Sequence, residues 1–129
     1  MIFIDTSAIY ALASRSDPNH SKAKAKFSAI IESNVPLLTH NYVLVETLAL
    51  LQRRLGLESA IRFESENRWF EIVWVTADVH AEATRRWNLG TRGVSFVDHV
   101  SFLVMQLRRV TTAFAFDDDF RDAGFRLYE

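Results

Sequence analysis

Four acidic residues of this chain stand where the surrounding sequence is apolar, and that placement constrains the fold more than any other feature. Asp5 follows Ile2-Phe3-Ile4, and Asp117 follows Ala113-Phe114-Ala115-Phe116. Glu46 interrupts the run Tyr42-Val43-Leu44-Val45 before Leu48-Ala49-Leu50-Leu51, and Asp98 interrupts Val94-Ser95-Phe96-Val97 before Val100-Ser101-Phe102-Leu103. An isolated carboxylate in such surroundings is strongly unfavourable. Each must be protonated, hydrogen-bonded, paired or bound to a metal. Local roles are open to all four. Asp5 and Asp117 can cap the helices or turns that follow them, and Glu46 can meet Arg53. Asp98, three residues after Ser95, can complete a variant of the capping box.

The pattern around these acids alternates between strand and helix. Ile2 to Ile4, Val35 to Thr39, Glu71 to Val75 and Thr111 to Phe116 read as strands, with Phe125 to Tyr128 as a short fifth. Between them, Ala8 to Leu12 read as helical. Asp17-Pro18 predicts a turn and a helix with Pro18 at its first position, where Ala23, Phe27, Ile30 and Ile31 share a face. Asn41 is expected to cap a helix running to Arg54 and stopping at Gly56. Further helices are expected at Glu58 to Arg68, from Asp78 with Val79, Ala83 and Trp87 on one face, and from Ser95 to about Arg109. Thr91 to Val94 read as loop. Such alternation implies right-handed crossovers and a mainly parallel sheet of four or five strands flanked by helices. The class is α/β, and the 129 residues suit one domain.

In an open parallel sheet, ligands bind beyond the carboxyl ends of the strands where strand order reverses. Asp5 and Asp117 stand at such ends, and Glu46 and Asp98 can project to the same edge from their helices. Four converging carboxylates repel one another, and the sequence offers no Lys beside any of them. A divalent metal is the economical neutraliser. With no Cys and no paired His, hard oxygen donors favour Mg²⁺ or Mn²⁺ over zinc.

Composition removes other classes. The absence of cysteine excludes disulfides, thiolate metal sites and thiol catalysis. A net charge of -1 gives no global pull towards nucleic acid or an anionic membrane, so any RNA contact must come from local patches. No apolar run approaches the length of a membrane span. No phosphate-cradling glycine motif is present, so no nucleotide cofactor is expected. The start carries no basic leader, and a cytoplasmic location is expected.

With these residues in view, the chain resembles the PIN-domain ribonucleases, and among them the VapC-type toxins of bacterial toxin–antitoxin pairs. The resemblance runs in order through Phe3-Ile4-Asp5-Thr6-Ser7, Asp17-Pro18-Asn19-His20 and Asn41-Tyr42-Val43-Leu44-Val45-Glu46-Thr47. It ends with Ser95-Phe96-Val97-Asp98 and Phe116-Asp117-Asp118-Asp119-Phe120. It implies a three-layer PIN-like domain over residues 1–129 in which Asp5, Glu46, Asp98 and Asp117 bind Mg²⁺ or Mn²⁺ and hydrolyse RNA phosphodiesters. Thr6 or Ser7 would supply a hydroxyl near the metal, and Asp119 would stand close by. Where similar proteins commonly have Thr two residues before the last acid, this chain has Ala115. The resemblance also implies a VapB-type antitoxin as partner.

Two rivals stand beside this reading: a non-catalytic receiver-like signalling domain of the same architecture, and a PIN fold without activity. A receiver would need an acidic pair after the first strand and a late Lys, whereas Asp5 stands alone and no Lys follows Lys26. Arg53, Arg54 and Arg92 are the candidates for RNA contact, and Arg85, Arg86, Arg108 and Arg109 are further surface cations. The four histidines read as surface or cap residues. The helix from Ser95 to Arg109 is apolar nearly all round, with Phe102 and Met105 off its main face. Together with the resemblance, this predicts a homodimer.

Overall fold

The fold was obtained as a computed structural model, which describes residues 1–91 and 93–129. Arg92, one of the three candidate RNA contacts, lies outside the described residues. The elements run β1 (Ile2–Ile4), α1 (Thr6–Ala13), α2 (His20–Glu32), β2 (Leu37–His40), α3 (Asn41–Leu55) and α4 (Leu57–Glu66). After a 3₁₀ turn at Asn67–Trp69 come β3 (Phe70–Val73), α5 (Ala77–Leu89), α6 (Phe96–Arg108), β4 (Thr112–Phe114), α7 (Asp119–Asp122) and β5 (Arg126–Leu127).

The five strands form one parallel sheet in the order β3-β2-β1-β4-β5. Chain order therefore reverses between β1 and β4, where Phe3 pairs with Ala113 and Ile4 with Phe114. The central strand is apolar throughout because helices cover both of its faces. Phe3 and Ile4 are fully buried, and the Phe3 ring packs 5.8 Å from both Phe120 and His40.

Several helix boundaries have causes the sequence only partly displays. The second helix starts at His20, with Asn19 in the cap position, rather than at Pro18. Asp17 instead uses its carboxylate to accept from Asn19 N, closing a turn before the helix. His20 Nδ1 then donates to the Ala11 carbonyl at 2.7 Å and ties α2 to α1. On α2, Ala23 and Ile30 are buried as expected, whereas Ile31 is exposed. His40, not Asn41, caps α3 by accepting from Val43 N. Asn41 accepts from Val75 N at 2.7 Å and pins the loop after β3. Thr76 caps α5, and Trp87 stands half in solvent. Gly56 ends α3 with φ of +97°, a left-handed conformation that glycine adopts without strain.

The apolar surplus of α6 is absorbed within the chain. Val100, Phe102, Leu103, Val104 and Met105 are all buried, with Phe102 edge-on to Phe120 at 5.2 Å. Leu107 is the exposed member. The second face of α6 therefore gives no argument for a dimer, because the sheet, α5 and α7 already cover it.

Phe3 sits where strand register and aromatic packing meet. Phe3→Ala is expected to lower unfolding free energy by about 3–5 kcal/mol in urea titration, against about 0.5 kcal/mol or less for Ile61→Ala at the surface.

Candidate active site

At the carboxyl ends of β1 and β4 the sheet opens into a cleft of about 470 Å³, lined by Asp5, Thr6, Ser7, Glu46, Ala49, Leu50, Arg53, Ser95, Asp98 and Asp117. The four acids expected from sequence thus arrive at one place from four elements. Asp5 leaves β1 and caps α1, and Asp117 follows β4. Glu46 comes from the second turn of α3, and Asp98 from the first turn of α6. The local roles hold in part, since Glu46 bonds Thr6 and not Arg53. Asp5 caps its helix, and Ser95 Oγ accepts from Asp98 N at 3.0 Å.

Hydroxyls orient the carboxylates. Ser7 Oγ donates to Asp5 Oδ2 at 2.8 Å, and Ser7 N donates to the same oxygen at 3.2 Å. The Ser7 hydroxyl in turn accepts from Phe116 N at 3.0 Å, so one side chain braces the ends of β1 and β4 together. This bond holds the chain just ahead of Asp117, beside Ala115. Thr6 Oγ1 donates to Glu46 Oε1 at 2.7 Å and accepts from Thr47 Oγ1 at 3.1 Å. Asp117 Oδ1 accepts from Asp119 N at 3.1 Å. Thr47 is the member of this group that sequence reasoning missed, although it stands next to Glu46. Nothing in a sequence tells a hydroxyl that braces a carboxylate from one that merely packs.

The electrostatics follow from burial and crowding. Burial pushes Asp98 up to about 8, and the charges of Asp5, Asp117 and Asp119 add to it. Burial and the charge of Asp5 push Asp117 up to about 6, against the pull of the Asp119 N–H. Asp5 is also raised, by burial and by Glu46, despite its bonds from Ser7. Cations do little to offset this. Arg53 lies at the rim, while Lys26 reaches over from α2 to the Phe116 ring, 5.2 Å from its centroid.

The donor set is hard oxygen throughout, with carboxylates in excess of any cation the protein supplies, which fits a divalent metal. Among the described residues, no three acidic or histidine side chains are drawn close enough to hold one ion. The acids line the cleft without forming a closed coordination shell.

The remaining cations divide by their partners. Arg85 and Arg86 pair with Glu82, Arg86 also donates to Gln106, and Arg108 pairs with Glu71. Arg54 lies over the Tyr10 ring at 5.5 Å and is absent from the cleft lining. Of the two candidate RNA contacts among the described residues, Arg53 and Arg54, the fold brings Arg53 to the acids. The histidines are not all superficial, since His40 is fully buried. A larger groove of about 530 Å³ opens elsewhere, between α1, α2 and α4, and includes none of the four acids. Its lining is mainly apolar, with Ile9, Leu12, Phe27, Ile31, Phe63 and Trp69, and it also includes Ser59, Arg62 and Glu66.

Comparisons with known proteins identify the family and the fold. The model of the PIN domain family matches residues 2–126. The 23S rRNA-specific endonuclease VapC20 of Mycobacterium tuberculosis, in strains CDC 1551 / Oshkosh and ATCC 25618 / H37Rv, is 40% identical over 133 residues, covering 97% of this chain and 95% of the relative. The crystal structure of Mycobacterium tuberculosis VapC20, a sarcin-ricin loop cleaving toxin, aligns with a TM-score of 0.85 at 37% identity, over 97% of this chain and 96% of that one.

The raised acids and buried His40 set opposing pH dependences. Asp98, at about 8 in the fold against 3.8 ordinarily, contributes stability that is complete below 3.8 and lost as pH rises through 8. His40, pushed by burial from 6.5 down to about 3, contributes stability that is complete above 6.5 and lost as pH falls towards 3. The two oppose each other below 6.5, and only the acid effect acts above it. The Tm of metal-free protein is therefore expected to fall from about pH 6.5 to about pH 8, and to do so less in Asp98→Asn. Mn²⁺ should raise Tm more at the upper pH than at the lower, where protons compete for the same oxygens. Scanning calorimetry across that range checks both.

Proposed function

The chain belongs to the PIN-domain family, and from that premise we propose that it is a metal-dependent endoribonuclease, the toxin of a toxin–antitoxin pair. The observation that carries the reading is the convergence of Asp5, Asp98 and Asp117 at the strand-order reversal, each with its pKa raised by burial and by its neighbours. In this reading Asp5, Glu46, Asp98 and Asp117 hold Mg²⁺ or Mn²⁺. Such a cation, when bound, supplies Lewis-acid stabilisation of phosphate charge and makes a water molecule easier to deprotonate.

The protein's own groups do the rest. Asp5 or Asp98 orients the attacking water and takes its proton, and no side-chain nucleophile is required. Ser7 and Thr6 keep the Asp5 and Glu46 carboxylates from turning away, while Asp119 steadies Asp117 through its backbone N–H. Arg53 at the rim contacts a phosphate of the RNA. The substrate is the sarcin–ricin loop of 23S ribosomal RNA, a choice supported by 40% identity to a 23S rRNA-specific endonuclease and by a fold match at a TM-score of 0.85 to a sarcin-ricin loop cleaving toxin. Such a toxin acts in the cytoplasm.

Its partner is a VapB-type antitoxin that covers the acidic site and presents an Arg to the carboxylates, whose geometry the guanidinium fork matches. The apolar groove between α1, α2 and α4 suits an amphipathic helix of that partner. A homodimer belongs to the same reading, and the exposed Val45 and Leu89 offer apolar area for it.

Partner-free protein is expected to cut a sarcin–ricin loop RNA with Mg²⁺ or Mn²⁺ and to stop with chelator. Asp5→Asn and Asp98→Asn should each slow cleavage by about 10²–10⁴-fold while melting cooperatively. Cleavage by either variant at the unaltered rate would sink the assignment. Light scattering at micromolar concentration is expected to give twice the chain mass. A monomer mass independent of concentration would remove the dimer and leave the nuclease.

A further inference from the structure

Glu46 and Asp98 enter the cleft on two different helices, α3 and α6, whose own backbone hydrogen bonds do not join one to the other. A buried chain of hydrogen bonds does. Val43 N, in the first turn of α3, donates to His40 Nδ1 at 3.3 Å. The ring proton is then on Nε2, which donates to Ser101 Oγ at 2.8 Å. Ser101 Oγ donates to the Val97 carbonyl at 3.0 Å. That carbonyl belongs to the peptide joining Val97 to Asp98. One end of the chain therefore grips the α3 turn ahead of Glu46, and the other grips the peptide that bears Asp98.

His40 and Ser101 are both 0% exposed, and the imidazole is held between the rings of Phe3 at 5.8 Å and Tyr42 at 6.0 Å. Both ring nitrogens are engaged, which leaves one tautomer and one ring orientation. Two apolar side chains could fill the same space, but they would not fix a distance, because apolar packing is non-directional. A fully satisfied polar chain does fix one, and it tolerates little displacement because an unpaired buried donor is costly.

We propose that His40 and Ser101 are positioning residues whose hydrogen-bonded link sets the separation of Glu46 and Asp98, and through it the grip of the acidic cleft on a divalent cation. The inference rests on the metal-binding reading of that cleft. Mn²⁺ alone is the probe, followed by titration calorimetry, with Tm measured alongside. Ser101→Ala removes the link. His40→Asn keeps an acceptor for Val43 N but is too short to reach Ser101. Val104→Ala, buried on α6 outside the link, controls for lost packing.

Both link variants are expected to bind Mn²⁺ about tenfold more weakly, while Val104→Ala stays within about twofold of the unaltered protein despite at least as large a loss of Tm. Unaltered Mn²⁺ affinity in either link variant overturns the inference, and so does an equal loss of affinity in Val104→Ala. An unaltered protein that binds no Mn²⁺ overturns the metal reading itself, and the inference with it.

Discussion

Mutual repulsion among carboxylates that the fold forces together is the constraint from which the rest of this structure can be understood. Asp5 and Asp117 are held near each other, because Asp5 follows β1 directly, Asp117 comes three residues after its register-locked partner β4, and Ser7 ties Phe116 to the end of β1. Asp98 joins them from the first turn of α6, and burial, nearly full for Asp5 and partial for Asp98 and Asp117, reduces the water that would screen them. The raised acids therefore keep their protons to higher pH than free carboxylates do. A cation would relieve the repulsion more completely. The rest of the molecule has to supply the stability that this cleft withholds.

It does so through an aromatic and aliphatic core set directly beneath the cleft. Phe3, Phe114 and Phe120 are fully buried around the two strands that carry Asp5 and Asp117. Hydroxyl groups then convert that rigidity into carboxylate orientation. Ser7 braces both strand ends, Thr6 and Thr47 hold Glu46, and Ser101 reaches from His40 to the peptide before Asp98. The hydroxyls of Ser7, Thr6 and Ser101 each bond to more than one group, which is why so small a set suffices.

Much of the fold was legible because the periodicities were unambiguous. The first and fourth strands, the α3 and α6 helices and the parallel α/β class follow from apolar patterning. The stop of α3 at Gly56 and the start of α6 after Ser95 follow from turn and cap chemistry. Errors arose where a side chain had two partners to choose from. Asn41 was the expected cap of α3, yet it bonds Val75 and leaves the cap to His40. Pro18 suits a first helical position, but Asp17 closes a turn there instead. The apolar surplus of α6 looked like an interface and is core. In each case the deciding partner lies outside the local stretch.

The sequence by itself determined which residues could form the site. A carboxylate set in an apolar run is a local fact with a large energetic consequence, and four of them, Asp5, Glu46, Asp98 and Asp117, stand out on that ground alone. Tertiary structure decided how they are held and which neighbours matter. Arg53 reaches the cleft while Arg85, Arg86 and Arg108 are taken by acidic partners, and Lys26 crosses from α2 to lie over Phe116. His40 and Ser101 meet across sixty-one positions of chain. Burial cost is written locally in residue type, whereas hydrogen bonds and ion pairs act over a few ångströms in space. The partners they join can therefore be known only once the chain has closed around them.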